Sequence, residues 1–398
     1  MVMTGSQVRF LLMAPFPKRH SKGCLLFFVS LLHKIRYKMK FLHKLLYILK
    51  KLHKKITVLL YLCKKYFTVF LDIWIGGQML ECVEICAGAG GQALGLEMAG
   101  FKHIALIEIE KDYCDILRKN RPFWPIICKD LKYFSGKNYS NVDLLAGGVP
   151  CPPFSKAGKQ LGKDDERDLF PEAIRLIEEI KPKAVMLENV RGFLDPIFDE
   201  YRKNILKKIT NLGYNVQIKL LQSSDYGVPQ LRPRVLIIGI RADIKTTFIY
   251  PTPNNKKVFL KDAILDLLYA NGWKNDYVAE KFSNNIAPTL VGGSKKHGGP
   301  DLGPSRAKNA WAELGIDGSG IANDAPDKEF IGKPRLTTRM LARIQGFPDM
   351  WNFGNKKTKA CRMIGNAFPP PVAKAVGLKI RECIEDGFLD CASTKTVS

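Results

Sequence analysis

Two hydrophobic periods alternate along residues 79–245. Short apolar runs read as buried strands: LECVEICA at 80–87, HIALIEIE at 103–110, NVDLLAGG at 141–148, KAVMLENV at 183–190 and RVLIIGI at 234–240. Between them, ALGLEMAG, KDYCDILRKN and LFPEAIRLIEEIKP carry apolar residues at helical spacing, the first closed by Gly100 and the last stopped at Pro182. Strands that alternate with helices predict βαβ units, hence an α/β, Rossmann-like fold with a mostly parallel sheet covered on both faces. The alternation stops near residue 245. Residues 246–334 are rich in Gly and Pro and predict a smaller, irregular unit, and helical patterning returns from LTTRMLARIQGF through PPPVAKAVGLKIRECI. The expected organisation is therefore 79–245 and 335–398 as one domain, interrupted by 246–334.

Residues 1–78 follow neither pattern. They hold 15 Lys and Arg against the single acid Asp72, which places more than half of the chain's formal charge of +24 in a fifth of its length. Lysines interrupt every apolar run, so no transmembrane span is expected, and no small-residue cleavage site follows a short apolar core. The recurrent LHK at 32–34, 42–44 and 52–54 has a ten-residue step that does not return to one helix face. A basic arm is one reading; upstream sequence translated ahead of a true start at Met79 is the plainer one. The remaining chain is still basic, which suggests a polyanionic partner such as nucleic acid. The ten cysteines include no CxxC pair. No zinc site or disulfide framework is expected, and the redox setting implied is cytoplasmic.

Four segments carry candidate chemistry. In ICAGAGGQALGLE, Gly88, Gly90 and Gly91 let backbone pass close to a ligand at the mouth of the first strand. Glu108 at the end of the second strand is spaced to bind a ribose hydroxyl, and Asp130 after a third strand could bind an exocyclic amine. With no Walker lysine, a nucleoside is favoured over a phosphate. In GGVPCPPFSKAG, prolines hold Cys151 at a strand end, where α/β proteins bind ligands. Glu188 in MLENV ends an apolar strand, a costly place for a carboxylate without a partner or a task. In VPQLRPRVLIIG, Gln230, Arg232 and Arg234 alternate and so point one way, either as a paired-arginine site or as a solvated charged edge.

In this order these segments, with the RDLF helix, RLTTRMLARIQGFPD and IGNAFPPPVAKA, resemble the DNA (cytosine-5)-methyltransferases over roughly residues 80–245 and 335–380. The resemblance implies an S-adenosylmethionine-dependent methyltransferase domain with a target recognition domain at 246–334, no metal, and double-stranded DNA as substrate. It implies Cys151 as the nucleophile that attacks C6 of a flipped-out cytosine, Glu188 at N3 and the exocyclic amine, Arg234 at the base carbonyl and Arg232 in support. Cys86, Gly88, Gly90, Gly91, Glu108, Ile109, Asp130, Leu169 and Asn366 are the implied cofactor residues. Ser155, Gln230, Thr289, Ser294, Lys295, Lys296 and Arg306, together with His297, are the DNA-contact candidates. Two positions depart from the family pattern: Cys86 stands where a Phe is usual, and Met340 where many relatives carry Glu. The architecture also implies a monomeric bacterial enzyme, functionally paired with a restriction endonuclease without a stable complex. An orphan regulatory DNA methyltransferase is the alternative, and a transfer RNA cytosine-5 methyltransferase a lesser one, since its Cys-Phe-Thr signature is missing.

Overall fold

The computed structural model describes residues 79–150, 168–254, 256–293 and 299–393. The segment 1–78 and the candidates Cys151, Ser155, Ser294, Lys295, Lys296 and His297 lie outside the described residues.

Seven strands form one sheet: β1 (Leu80–Ile85), β2 (Phe101–Glu108), β3 (Ile126–Cys128), β4 (Leu144–Gly148), β5 (Ala184–Val190), β6 (Tyr214–Gln222) and β7 (Pro233–Arg241). Their order is β3-β2-β1-β4-β5-β7-β6, and β7 runs antiparallel to both of its neighbours. The chain winds outward from β1 in one direction and then resumes beside β1 with β4. The crevice at the carboxyl ends of these two strands is thus the switch point where open α/β sheets bind ligands. The expected strands all form. β6 was not expected, because YNVQIKLLQ lies at the sheet edge and is only partly covered, so it lacks the continuous apolar run of the central strands.

Helices cover both faces. On one face, α1 (Gly91–Met98) and α10 (Pro370–Ser393) enclose a core with Leu80, Cys82, Leu144, Met186 and Ile238. On the other, α3 (Phe170–Ile180) and α4 (Asp199–Asn211) pack on Val83, Ile85, Leu145, Leu187 and Ile237. The helix α2 (Lys111–Asn120) connects β2 to β3.

The segment 246–334 is less irregular than its composition implies. It contains α5 (Leu260–Leu268), α6 (Asp276–Asn284) and α7 (Ser305–Glu313) within long loops. Their apolar faces share one core with α8 (Thr338–Ile344) and α9 (Lys357–Asn366): Leu260, Ile264, Phe282 and Trp311 cluster with Leu341, Phe347 and Ile364. The buried Met340 explains how α8 tolerates its departure from the family. Its Sδ accepts from the Thr337 N–H at 3.4 Å while Thr337 Oγ1 accepts from the Met340 N–H at 3.3 Å, so the thioether completes a capping box in place of a carboxylate. Among the described residues, no helix is long and apolar enough to cross a membrane.

Candidate active site

A cavity opens at the switch point, lined among others by Cys86, Gly88, Gly91, Gly148, Glu188 and Asn366. Its floor follows from the glycine turn after β1. A Cβ at Gly91 would stand 2.2 Å from the carbonyl oxygen of Phe368, so only glycine lets α1 begin against the α9–α10 junction. Cys86 has a left-handed backbone (φ 53°) and burial pushes its thiol pKa up, so the sulfur facing the cavity stays protonated. Glu108 is tied to this turn: its Oε2 accepts from the Gly88 N–H at 2.7 Å and its Oε1 from the Glu110 N–H at 2.8 Å. Those bonds leave a lone pair on each oxygen for a ligand.

Glu188 ends β5 next to Gly148 of β4, and Arg234 lies two residues from its cross-strand partner on β7. The Arg234 Nε is 2.8 Å from Glu188 Oε1, with both side chains nearly buried. Burial raises the Glu188 pKa, and the charges of Arg234 and Arg232 only partly offset it. A carboxyl that holds its proton beside a fixed guanidinium can donate one hydrogen bond and orient a second group. The neighbouring Asn189 donates from Nδ2 to the Val149 carbonyl at 3.0 Å, which pins the chain two residues before Cys151.

Arg232 and Gln230 share an orientation, as their spacing predicts, but they are neither at a solvated edge nor at a DNA surface. Both are fully buried. Arg232 donates to the carbonyls of Leu290 (2.8 Å), Gly365 (2.5 Å) and Ala367 (3.2 Å), so it binds main chain rather than a substrate. Gln230 accepts from the Leu290 N–H at 2.8 Å and donates to Gln345 Oε1 at 2.7 Å, which corrects its expected place among the DNA contacts. Together they hold the segment 289–293 against the end of α9. There Asn366 Nδ2 donates to the Gly293 carbonyl at 3.2 Å.

The other candidates are dispersed. Ile109 is 60% exposed after β2. Asp130 is half-buried and accepts from the Lys132 N–H at 3.0 Å, and Leu169 precedes α3 half-buried. Thr289 donates to the Leu231 carbonyl, and Arg306 is exposed in the first turn of α7. Several cavity residues were not expected, among them Glu84, Gln92, Tyr113 and Phe368. Glu84 had a legible signal, an acid in phase with Cys82 inside an apolar strand. Gln92 had none beyond following the glycines.

A parallel sheet with one reversed strand, helices on both faces and a glycine-floored cavity at its switch point is the fold of the S-adenosylmethionine-dependent methyltransferases. Solved structures share this fold, among them a DNMT2 mutant from Spodoptera frugiperda (TM-score 0.55, 18% identity, covering 76% of this chain and 99% of that one). The Dnmt2 methyltransferase of S. pombe is similar (TM-score 0.53, 16% identity, 77% and 99%). Residues 80–382 match the family C-5 cytosine-specific DNA methylase, and the chain belongs to that family. It is similar to the Type II methyltransferase M.NgoMIV of Neisseria gonorrhoeae, 53% identical over 307 residues, 76% of this chain and 97% of that protein. It is also similar to the Type II methyltransferase M.NaeI of Lentzea aerocolonigenes, 50% identical over 314 residues, 77% and 76% respectively. The chain is thus an enzyme that methylates cytosine at C5 in DNA at specific sites, through a covalent intermediate on a flipped-out base, as its family does.

Proposed function

We propose that this chain is the modification enzyme of a restriction–modification system, with its chemistry divided between the Glu188–Arg234 pair and Cys151. The Type II methyltransferases it resembles support the biological setting. The observation that carries the division of roles is the nearly buried carboxyl of Glu188, oriented by Arg234 at the rim of the glycine-floored cavity.

Cytosine C5 is a weak nucleophile, so its methylation needs a bond to the ring. The thiolate of Cys151 adds to C6 while Glu188 delivers its proton to N3, and the ring electrons gather at C5. Arg234 holds the Glu188 carboxyl and reaches the base carbonyl; Arg232 is a positioning residue, acting through the main chain it binds. C5 would then take the donor's methyl group, the donor sulfur keeping the bonding pair; loss of the C5 proton to water, departure of Cys151 as thiolate and return of the N3 proton to Glu188 restore the aromatic ring as 5-methylcytosine. None of these atoms is reachable in stacked duplex, which is why the base must leave the helix.

The methyl donor implied by the family is S-adenosylmethionine, which supplies a methyl group on a positively charged sulfur. The residues present fit it. The turn at Gly88–Gly91 admits close approach, Glu108 keeps free lone pairs for a ribose, the exposed Ile109 offers a flat apolar surface for adenine, and Asn366 borders the cavity. Residues 246–334 serve as the target recognition domain, with Thr289 and Arg306 at the DNA together with the basic run Lys295–Lys296. The working unit is a monomer in the cytoplasm, paired in function with an endonuclease.

The test is transfer of tritiated methyl groups to unmethylated DNA, followed by bisulfite sequencing of host DNA. Label at one short recurring sequence, abolished by Cys151→Ser, is expected. Label that survives Cys151→Ser would remove the proposed nucleophile.

A further inference from the structure

The thiols of Cys114 and Cys128 converge at the carboxyl end of β2. Cys128 closes β3 opposite Glu108 in the parallel register, and Cys114 stands on α2, six residues past Glu108. The Cys114 Sγ donates to the Glu108 carbonyl at 3.4 Å. The same oxygen accepts the N–H of Lys129, the residue after Cys128, at 3.0 Å. The Cys128 Sγ lies 3.9 Å from the next carbonyl, that of Ile109. Cys114 is buried and Cys128 exposed. Burial, together with the Cys128 thiol beside it, pushes the Cys114 pKa up to about 12.

An exposed thiol beside a buried one suits oxidation in two steps, the first attacking the oxidant and the second resolving the product. A peroxide reaches Cys128 first. The Cys128 sulfur bonds to one peroxide oxygen, the O–O bond breaks, and the other oxygen leaves with the thiol proton as water. The Cys114 sulfur then attacks the Cys128 sulfenic acid. The S–S bond forms, the S–O bond breaks, and the hydroxyl leaves with the Cys114 proton as a second water. Two thiols thus give up two electrons, and one peroxide becomes two waters. The product has no S–H to offer the Glu108 and Ile109 carbonyls, and its sulfurs are drawn to about 2.05 Å. Glu108 also carries the carboxyl that accepts from the Gly88 N–H, so a shift of its main chain reaches the glycine turn.

We propose that peroxide joins Cys114 and Cys128 in a reversible disulfide, and that the oxidised pair weakens cofactor binding through Glu108 and Ile109. The effect on binding rests on the cofactor reading of the cavity given above. A transient disulfide of this kind is compatible with a reducing compartment.

The test treats the full chain with hydrogen peroxide, blocks the remaining thiols and maps its peptides by mass spectrometry without reductant. Titration calorimetry with S-adenosylhomocysteine is run before and after. Peptides joined through Cys114 and Cys128 are expected, with affinity lowered about tenfold and restored by dithiothreitol. Cys128→Ser keeps every other thiol, and its affinity should change by less than about twofold under the same treatment. Equal loss in both proteins would trace the effect to Cys86 or Cys151 and overturn control by the pair. Joined peptides with unchanged affinity overturn it too, and the absence of joined peptides overturns the disulfide itself. If the reduced wild type binds no S-adenosylhomocysteine, the cofactor reading falls and control of binding with it, while the joined peptides, scored without ligand, still decide the disulfide.

Discussion

Arg234 on β7 and Glu188 on β5 meet across the reversed strand pair, Nε to Oε1 at 2.8 Å, with both side chains nearly buried. Each is costly alone in that position, because removing one partner leaves a nearly buried polar group without the contact that satisfies it. Arg234→Ala should therefore destabilise the protein by about 3 kcal/mol. Glu188→Gln keeps the shape but loses the proton delivered to N3, and should lower kcat by about 100-fold with DNA affinity retained. Single-turnover methylation and filter binding measure the two quantities separately.

Arg232 reports on a different function of the same segment. Its guanidinium holds three carbonyls from Leu290, Gly365 and Ala367. Arg232→Met would leave these acceptors buried and unpaired, at a cost of about 3 kcal/mol or more. A melting temperature lowered by roughly 6–12 °C is expected, with S-adenosylhomocysteine affinity falling in parallel, since the same clamp fixes the end of α9. A variant with wild-type melting and weakened DNA binding would instead return Arg232 to a direct substrate role.

Gly292 sits where the segment 289–293 crosses the end of α9. A Cβ there would lie 2.1 Å from Asn366 Oδ1 and 2.7 Å from the Arg362 carbonyl. Gly292→Ala must displace Asn366, so cofactor affinity should drop at least about tenfold, from a substitution in the proposed recognition segment. Calorimetry with S-adenosylhomocysteine checks it; unchanged affinity would mean that Asn366 does not bear on the cofactor.

Cys86 gives a gain-of-binding prediction. It stands where the family resemblance leads one to expect a Phe, and it borders the cavity. Cys86→Phe adds apolar surface against the bound nucleoside and should tighten S-adenosylhomocysteine several-fold, about 1 kcal/mol. Weaker binding would show that the space is already filled when ligand is present.

Glu84 supplies a pH dependence. Burial raises its pKa above the ordinary 4.5, and the hydrogen bond from His103 offsets this only in part. The folded protein thus keeps the Glu84 proton to higher pH than the unfolded chain does. The resulting stabilisation is complete below pH 4.5 and is lost as pH rises through the folded-state value. Wild type should lose more stability than Glu84→Gln between about pH 4 and pH 7, measured by urea unfolding at both ends. Parallel behaviour of the two proteins would contradict the raised pKa.

Much of this site was legible before the fold was known. The ends of β1, β2 and β5 are marked by glycines or acids after apolar runs, because a buried strand mostly carries its polar residues where the chain emerges. The edge strand β6 and the helices α5 to α7 were not legible. The strand is only partly covered and mixes polar with apolar residues, and the helices are nine residues each, set among loops rich in Gly and Pro.

By itself the sequence determined the order of strands and helices, the parallel character of the sheet and the family motifs, all of which depend on local period and spacing. It also determined that Gln230 and Arg232 share an orientation, since residues two apart in extended chain do. Only the tertiary structure decided that this orientation is inward. The groups that receive these side chains, at Leu290, Gln345, Gly365 and Ala367, lie 58 to 135 residues further along the chain. The same holds for Gln92, which reads as an ordinary helix-start residue until packing at the cavity wall buries its amide with no partner among the described residues. Alternation specifies direction relative to neighbours; what lies in that direction is set by long-range packing.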